Sequence, residues 1–368
     1  MSTSSGFPLL KLPLLALETL VNLMSPDTVL ELVLLSQVFK SRISIVKWKI
    51  ESLEWMITYY RIAVIIKSNF GRLVCDIKTR AEFDGSPYLN GIQVESINLN
   101  GTTVSLAKLG GWYLISETLE DSNECIKFKS ELDTLENLTK FLMSFVKCSK
   151  FKLEYSLEEM LLSKDFYVWQ YVRGNPIDLE VHRTFGNALV MTPDDLKFMF
   201  ENLKFGYLDL RGCVSETNFK YHGLLEAEEM IIDWDNSWIE LKSLNCQKVE
   251  IYSFPDDSEQ IKQILKNWVQ GSSMEKLEFL KISHQGSFSL DEMLKSLKHE
   301  NTSFSREDIS KPIGHIYKGT VLGDIQRESD GRWGTLCIES LWYFYFIVWT
   351  PEKLKECCQE TKIKLGLE

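Results

Sequence analysis

The segment Phe7–Arg42, FPLLKLPLLALETLVNLMSPDTVLELVLLSQVFKSR, is dominated by leucine. After Pro13, apolar residues recur at three- and four-residue steps, the spacing of one helical face. Ser25 can cap a helix with its hydroxyl, and Pro26 suits the first position of a new helix, where a missing N–H costs little. The segment therefore predicts two helices separated by a turn at Ser25-Pro26.

The second of these helices is apolar on almost every side. Its apolar positions include Val29, Leu30, Leu32, Val33 and Leu35. A helix apolar all round must be buried on more than one side. A segment this short cannot bury itself, because its core is too small to offset the entropy of ordering. Burial against the rest of the chain and burial against another protein both remain open.

Composition limits the possible partners and compartments. The 368 residues are 44% hydrophobic and 25% charged, which is typical of a globular protein with two or three cores. A net charge of −11 argues against nucleic acid or an anionic membrane surface as a ligand. The eight cysteines form no C-x-x-C pair, as expected for free thiols. No basic leader or membrane-spanning run is evident, so we expect an intracellular protein of the cytoplasm or nucleus.

Residues 47–120 are predicted to form a region of short strands. Strand-like runs occur at 47–50, 62–66 and 73–77, with a turn at Asn69-Phe70-Gly71 between the last two. The Asn100-Gly101 dipeptide predicts a hairpin.

From residue 121 helices and strands alternate. Helices are predicted at 131–147, from Thr192 onward and at 257–268, and strands at 151–155, 206–210, 230–234, 249–252 and 277–282. The spacing is that of leucine-rich-repeat units, so we expect irregular βα units with parallel strands. Two β-rich arms, 316–326 and 333–349, flank a hairpin turn at Ser329-Asp330-Gly331. Residues 341–349 of the second arm are strongly aromatic, so this aromatic arm should cover the end of the array. Residues 352–368 should form a frayed helix or tail.

The predicted class is therefore α+β or α/β, with three segments. These are an N-terminal helical segment (1–46), a short-strand β region (47–120), and leucine-rich-repeat-like βα units closed by a C-terminal β-hairpin cap (121–368).

The first segment resembles an F-box. The matching positions are Leu12-Pro13, Leu17, Leu20, Met24, Pro26, Leu30, Leu35-Ser36 and Phe39. Phe39 stands where many F-boxes have Trp, and Thr28 where an acidic residue is common. The resemblance implies docking onto the Skp adaptor of a cullin–RING ubiquitin ligase. The adaptor-binding residues that it implies are Leu12, Pro13, Leu17, Leu20, Met24, Pro26 and Leu30.

A second resemblance lies in the C-terminal half. The order of Leu241–Cys246, a strand, an acidic helix ending at Leu265–Gly271, and Leu277–Ile282 is similar to the type 2 F-box-associated domain of nematode F-box proteins. Arg327, Asp330-Gly331 and Val348-Trp349 resemble the ending of that family, although Gly334 breaks its usual small-residue step. The resemblance implies a domain that captures a protein target.

No catalytic, cofactor or metal motif is evident, and the five histidines are scattered. Cys213 and His222 could pair as nucleophile and base, and Asp233 and Asp235 could form a carboxylate pair, but a small buried thiol and solvated acids are the commoner roles. We therefore expect a non-enzymatic substrate-recognition subunit of an SCF-type ligase, without cofactor or metal. The alternative is a leucine-rich-repeat-like interaction scaffold with no ligase role, whose N-terminal helices cap the array. Adaptor docking predicts that a 47–368 fragment folds alone, and the scaffold predicts that it does not.

Overall fold

A computed structural model of the chain forms two compact units. The first comprises Met1–Leu157 and Asp165–Leu179, and the second Glu158–Lys164 and Glu180–Glu368. The residues described are 9–78, 94–99, 102–109, 112–117, 124–156, 162–182, 189–215, 219–233, 240–254, 258–284, 297–340 and 342–365. Helices and a mixed sheet occur together, as the predicted α+β class requires. The predicted division at residues 46 and 120 stays a prediction, although both positions fall inside the first unit.

Three helices open the first unit. A 3-10 turn at Leu9–Lys11 precedes α1 (Leu14–Asn22), α2 (Pro26–Leu35) and α3 (Gln37–Val46). The predicted break at Ser25-Pro26 is confirmed. The prediction of only two helices is wrong, because the chain stops again at Ser36. The hydroxyl of Ser36 accepts a hydrogen bond from the Phe39 amide (3.2 Å) and so caps a third helix.

The rest of the first unit is mainly strand. Its elements are β1 (Trp48–Lys49), β2 (Ser52–Thr58), β3 (Arg61–Ser68), β4 (Gly71–Ile77), β5 (Val94–Leu99), β6 (Thr102–Leu109), β7 (Trp112–Glu117), α4 (Glu124–Met143), β8 (Val146–Lys147), β9 (Lys150–Ser156) and α5 (Trp169–Val172). The strand order is β9-β2-β3-β4-β7-β6-β5, and β1 pairs separately with β8. The β9–β2 and β4–β7 pairs are parallel, and the other pairs of the main sheet are antiparallel.

Two predicted turns can be compared with these strands. Ser68 pairs with Gly71 across the β3–β4 hairpin, which confirms the turn around Asn69-Phe70. The strands that flank Asn100-Gly101 pair antiparallel, but the dipeptide itself lies outside the described residues. Strand β2 was not predicted, although its residues alternate between partly and fully buried.

The core of this unit lies between α4 and the sheet. Trp55 of β2 is completely buried, and its indole N–H donates to Thr139 Oγ1 of α4 at 3.0 Å. The ring stacks on Phe151 of β9 with centroids 5.9 Å apart. The apolar face of α4 is buried through Leu135, Leu138, Phe141 and Leu142. The observed helix therefore has the predicted apolar face but begins and ends earlier than 131–147.

β10 (Pro176–Val181) includes the boundary between the units. The second unit continues with β11 (Leu189–Met191), α6 (Pro193–Asn202), β12 (Lys204–Asp209), β13 (Cys213–Ser215), β14 (Ala227–Asp233), β15 (Lys248–Phe254), α7 (Ser258–Val269), β16 (Phe279–His284), α8 (Arg306–Ile313), β17 (Thr320–Gln326), β18 (Trp333–Glu339), β19 (Tyr343–Val348), α9 (Pro351–Lys355) and α10 (Gln359–Lys364). Its main strands run in the order β12-β14-β15-β16-β19-β18-β17.

The first four of these strands are parallel neighbours, as the alternation predicted. Helix α7 connects β15 to β16, whereas a 3-10 turn at Leu241–Ser243 precedes β15. The connections are thus irregular, and the comparison with leucine-rich repeats stays a prediction.

The C-terminal strands form an antiparallel extension. Strands β17 and β18 flank the predicted turn, where Gly331 has φ +74°, a conformation that glycine adopts without steric cost. The prediction of one arm over 333–349 is wrong, because the chain reverses near Ser340 (φ +57°) and forms both β18 and β19. Strand β19 pairs antiparallel with β16, so the aromatic arm occupies the edge of the parallel array.

The buried carboxylate of Asp308 secures the segment after β19. Its oxygens accept from the Ser305 hydroxyl (2.6 Å), the Thr361 hydroxyl (2.6 Å) and the Cys358 amide (2.7 Å). Burial alone would raise the pKa of Asp308, but these hydrogen bonds outweigh it and hold the pKa at about 2. Helices α8 and α10 are joined through this one ionised side chain.

Because the pKa of Asp308 is depressed, we expect the second unit to lose folding stability in acid. A pKa lower in the folded than in the unfolded state adds stability above the unfolded value of about 4, and that stability is lost as pH falls toward 2. We expect Asp308→Asn to lower the free energy of unfolding by about 2 kcal/mol at pH 7. The stability of the variant should also change less between pH 5 and pH 3. Urea unfolding at both pH values measures this, with the exposed Asp194→Asn as control. An unchanged acid dependence in Asp308→Asn would contradict the assignment.

Candidate functional site: two interaction surfaces

The N-terminal helices are anchored to the first unit along one side. Helix α3 packs against α1 and α2, while α2 packs on β3 and β4. A Cβ added to Gly71 of β4 would lie 3.7 Å from Pro26 Cδ, which shows how closely the two elements approach. Each helix buries apolar side chains completely or nearly so; these are Leu17, Val21, Val29, Leu30, Val33, Phe39 and Ile43. Burial against the chain's own core therefore accounts for one side of the helices.

Ion pairs reinforce this attachment. Lys49 of β1 bonds Glu18 of α1 at 2.7 Å, and its amide donates to Asn22 Oδ1 at 2.9 Å. Lys108 of β6 pairs with Glu31 of α2. These pairs are partly exposed, so we attribute most of the attachment to the buried apolar side chains.

The predicted adaptor-binding residues divide between core and surface. Leu17, Pro26 and Leu30 are buried, Leu12, Leu20 and Met24 are partly buried, and Pro13 is exposed. Their role in docking stays a prediction.

Away from this core, the helices and the 3-10 turn before them carry exposed apolar side chains, of which the F-box pattern singled out only Leu35. We define the helical apolar surface as the exposed side chains Leu10, Leu14, Leu15, Leu23, Leu35, Val38 and Ile45. They are 41–77% exposed and make up seven of the sixteen exposed large hydrophobic residues recorded for the described parts of the chain. Apolar side chains left in water on successive elements of the chain make this surface a candidate interaction site. Of these residues, only Leu35 lies on the second predicted helix, whose all-round apolar character was the sign of such a surface in the sequence.

The second unit presents a contrasting surface. Successive side chains of a strand point to opposite faces of a sheet. One face of β12, β14, β15 and β16 is apolar and at most 1% exposed; its residues are Leu208, Met230, Ile232, Val249, Ile251, Leu280 and Ile282. Trp268 of α7 lies edge-on to Phe346, which pairs with Leu280, so this helix covers the apolar face. We define the polar sheet face as Tyr207, Asp209, Glu229, Lys248, Glu250, Tyr252 and Lys281 on the other side.

A ladder of charges crosses the polar sheet face. Lys248 bonds Glu229 (2.5 Å) and Glu250 (3.2 Å), and Lys281 bonds Glu250 (2.9 Å). Burial alone would raise the pKa of Glu250, but its hydrogen bonds with Lys281 and Tyr252 lower it. Burial alone would lower the pKa of Lys281, but Glu250 and Tyr252 raise it. Glu250 and Lys281 are therefore both charged near neutral pH.

Aromatic rings line the same face. Tyr252 has Arg211 and Lys281 over its ring, with centroid distances of 5.3 and 5.2 Å. Arg211 is held by Asp209 at 2.6 Å. Lys281 also lies 5.7 Å from the Tyr343 ring. Tyrosine and arginine are favoured at the centres of protein interfaces, so this face suits the binding of a protein segment.

The structure gives no support to Cys213 and His222 as a catalytic pair. Cys213 is completely buried, and burial raises the pKa of its thiol to about 12, so it is protonated near neutral pH. His222 pairs instead with Glu240 at 3.3 Å. Asp235 lies outside the described residues. The seven cysteines that are described are free. Within the described ranges, no cluster of three or more His, Cys, Asp or Glu residues could hold a metal ion.

No helix in the described part of the chain has the length and apolar character needed to span a bilayer.

Comparison with known proteins gives one match. No curated protein and no solved structure matches the chain. A family model described as F-box associated matches residues 217–282. This segment contains β14, β15, α7 and most of β16, and with them five of the seven residues of the polar sheet face. The predicted F-box-associated similarity of the C-terminal half is therefore confirmed for residues 217–282.

Proposed function

We propose that this protein is the substrate-recognition subunit of an SCF-type cullin–RING ubiquitin ligase. Its N-terminal helices bind a Skp adaptor, and through it a cullin, while the second unit binds a target protein. The helical apolar surface is the observation that carries the proposal, since its leucines are exposed on helices whose other side is already buried. The F-box-associated match at 217–282 supports the same role.

Adaptor docking fits the energetics of this surface. Leu15 and Leu35 are 76% and 77% exposed, so both would gain by leaving water. Full burial of one such side chain is worth about 1.5–3 kcal/mol. Several contacts of this kind offset the cost of association, provided that the interface reaches the usual size of about 800 Å² per partner.

Target capture is assigned to the polar sheet face. Its charged ladder and tyrosine rings lie on strands of one sheet, so they can bind without reordering a loop. The proposed chain has no catalytic role of its own and no cofactor or metal, because ubiquitin transfer takes place on other subunits. It would act in the cytoplasm or nucleus.

Co-expression with a Skp adaptor, followed by size-exclusion chromatography with mass determination, tests the proposal. We expect a one-to-one complex, and we expect the protein alone to self-associate through its exposed leucines. A monomer that shows no binding to the adaptor would contradict the proposal.

The second candidate is a leucine-rich-repeat-like interaction scaffold without a ligase role. The packing of α2 on β3 and β4 favours it, because the helices then serve to complete the core. This candidate gives no reason for leucines on the opposite side of the helices. It predicts that substitution of those leucines leaves every partner of the protein bound.

A further inference from the structure

The residues directly before α1, which we call the leader, are hydrogen-bonded to a side chain of helix α3. Arg42 of α3 donates one hydrogen bond from Nη1 to the Leu10 carbonyl and another from Nη2 to the Leu12 carbonyl. Both acceptors lie at the 3-10 turn Leu9–Lys11 or directly after it. The guanidinium therefore joins the first described residues of the chain to the third helix.

Within the described residues, the leader has few other attachments to the helices. None of the three residues of its 3-10 turn is buried. The backbone hydrogen bond from the Leu12 amide to the Leu9 carbonyl (3.3 Å) is local and does not attach the turn to a helix. A planar guanidinium presents its donors in a fixed fork, which suits two neighbouring carbonyls better than a lysine ammonium does. Arg42 is thus well suited to set the path of the leader.

Leu10 is 41% exposed and belongs to the helical apolar surface. A loose leader would have to be ordered when a partner binds, and the entropy of ordering would reduce the affinity. A leader already held on α3 avoids that loss. The position of Arg42 therefore affects docking even though its guanidinium points to the chain's own backbone.

We propose that Arg42 is a positioning residue for adaptor docking, one that holds Leu10 and Leu12 in their binding arrangement before the partner arrives. This inference rests on the proposed function. It concerns a residue outside the seven that the F-box resemblance implied.

The test measures the dissociation constant of the full-length chain for a Skp adaptor by calorimetry, together with the thermal midpoint of each variant. Arg42→Met keeps an unbranched stem but removes both donors, and we expect it to weaken binding about tenfold with little change in the midpoint. Arg42→Lys, whose compact ammonium lacks the fixed fork of the guanidinium, should recover part of the loss. The matched control is Arg72→Met, the same substitution at an exposed position on β4, which should bind like the wild type.

A double-mutant cycle tests whether Arg42 acts on binding through Leu10. A role of Arg42 in stability alone would not couple the two residues. Leu10→Ala should weaken binding in the wild-type background and have a smaller effect in Arg42→Met, because the leader is then no longer held. Additive effects, or wild-type binding by Arg42→Met, would overturn the inference.

Leu15→Asp separates failure of the inference from failure of the proposed function. If Leu15→Asp abolishes binding while Arg42→Met binds normally, only the role of Arg42 is wrong. If Leu15→Asp also binds normally, adaptor docking by this surface is wrong.

Discussion

A Leu15→Asp, Leu35→Asp double variant should bind a Skp adaptor at least about a hundredfold more weakly while both units remain folded. The two leucines are 76% and 77% exposed, so the new carboxylates would lie in water in the free protein. In the complex they would be buried without partners, and burial of an unpaired charge costs several kcal/mol, enough for this loss. Calorimetric titration of the full-length chain gives the affinity, and circular dichroism confirms the fold.

Two comparisons make this result specific. Leu224 of the second unit is 56% exposed, so Leu224→Asp introduces the same charge at an exposed leucine remote in sequence and should bind normally. Leu17 is completely buried, so Leu17→Asp should destabilise the first unit itself, and loss of binding by it would not report on docking. Wild-type affinity in the double variant would show that the helical apolar surface is not the docking site for the adaptor.

Removal of residues 1–46 should unfold or aggregate the first unit. Helix α2 buries Val29, Leu30 and Val33 to at most 3% exposure and covers part of β3 and β4. Loss of these three side chains alone forfeits about 5–9 kcal/mol of burial, at about 1.5–3 kcal/mol each. The whole stability of a domain is only about 5–15 kcal/mol. Thermal melting and limited proteolysis of a 47–368 fragment provide the measurement.

A 47–368 fragment that melts as cooperatively as the intact chain would show that the helices are dispensable. The structure thereby changes what a folded 47–368 fragment would mean. From the sequence, a folded fragment distinguished adaptor docking from a scaffold, whereas with α2 packed on the sheet both functions require the helices for folding.

Local signals predicted the elements whose boundaries depend on neighbouring residues. Ser25-Pro26 ends α1 and begins α2 because a capping position and a proline at N1 act within one turn. Asp330-Gly331 marked a true hairpin, since only its own backbone conformation matters there. Ser36 is a similar capping residue for α3. Apolar residues continue on both sides of it, so the end of α2 was not recognised in the sequence.

Features that depend on distant contacts were not predictable. Helix α2 is apolar on all sides, so its sequence does not distinguish the buried Val33 from the exposed Leu35. The polar sheet face depends on strand register, which places Glu250 beside Lys281 although they are 31 residues apart. The two hydrogen bonds of Arg42 likewise join segments that share no sequence pattern.

Hydrogen–deuterium exchange of the full-length chain, with and without a Skp adaptor, tests the central claim most directly. Slower exchange in residues 9–46 alone, with the second unit unchanged, is the result that we predict. Protection confined to residues 217–282, or no protection anywhere, would contradict the assignment of the N-terminal helices as the adaptor-binding surface.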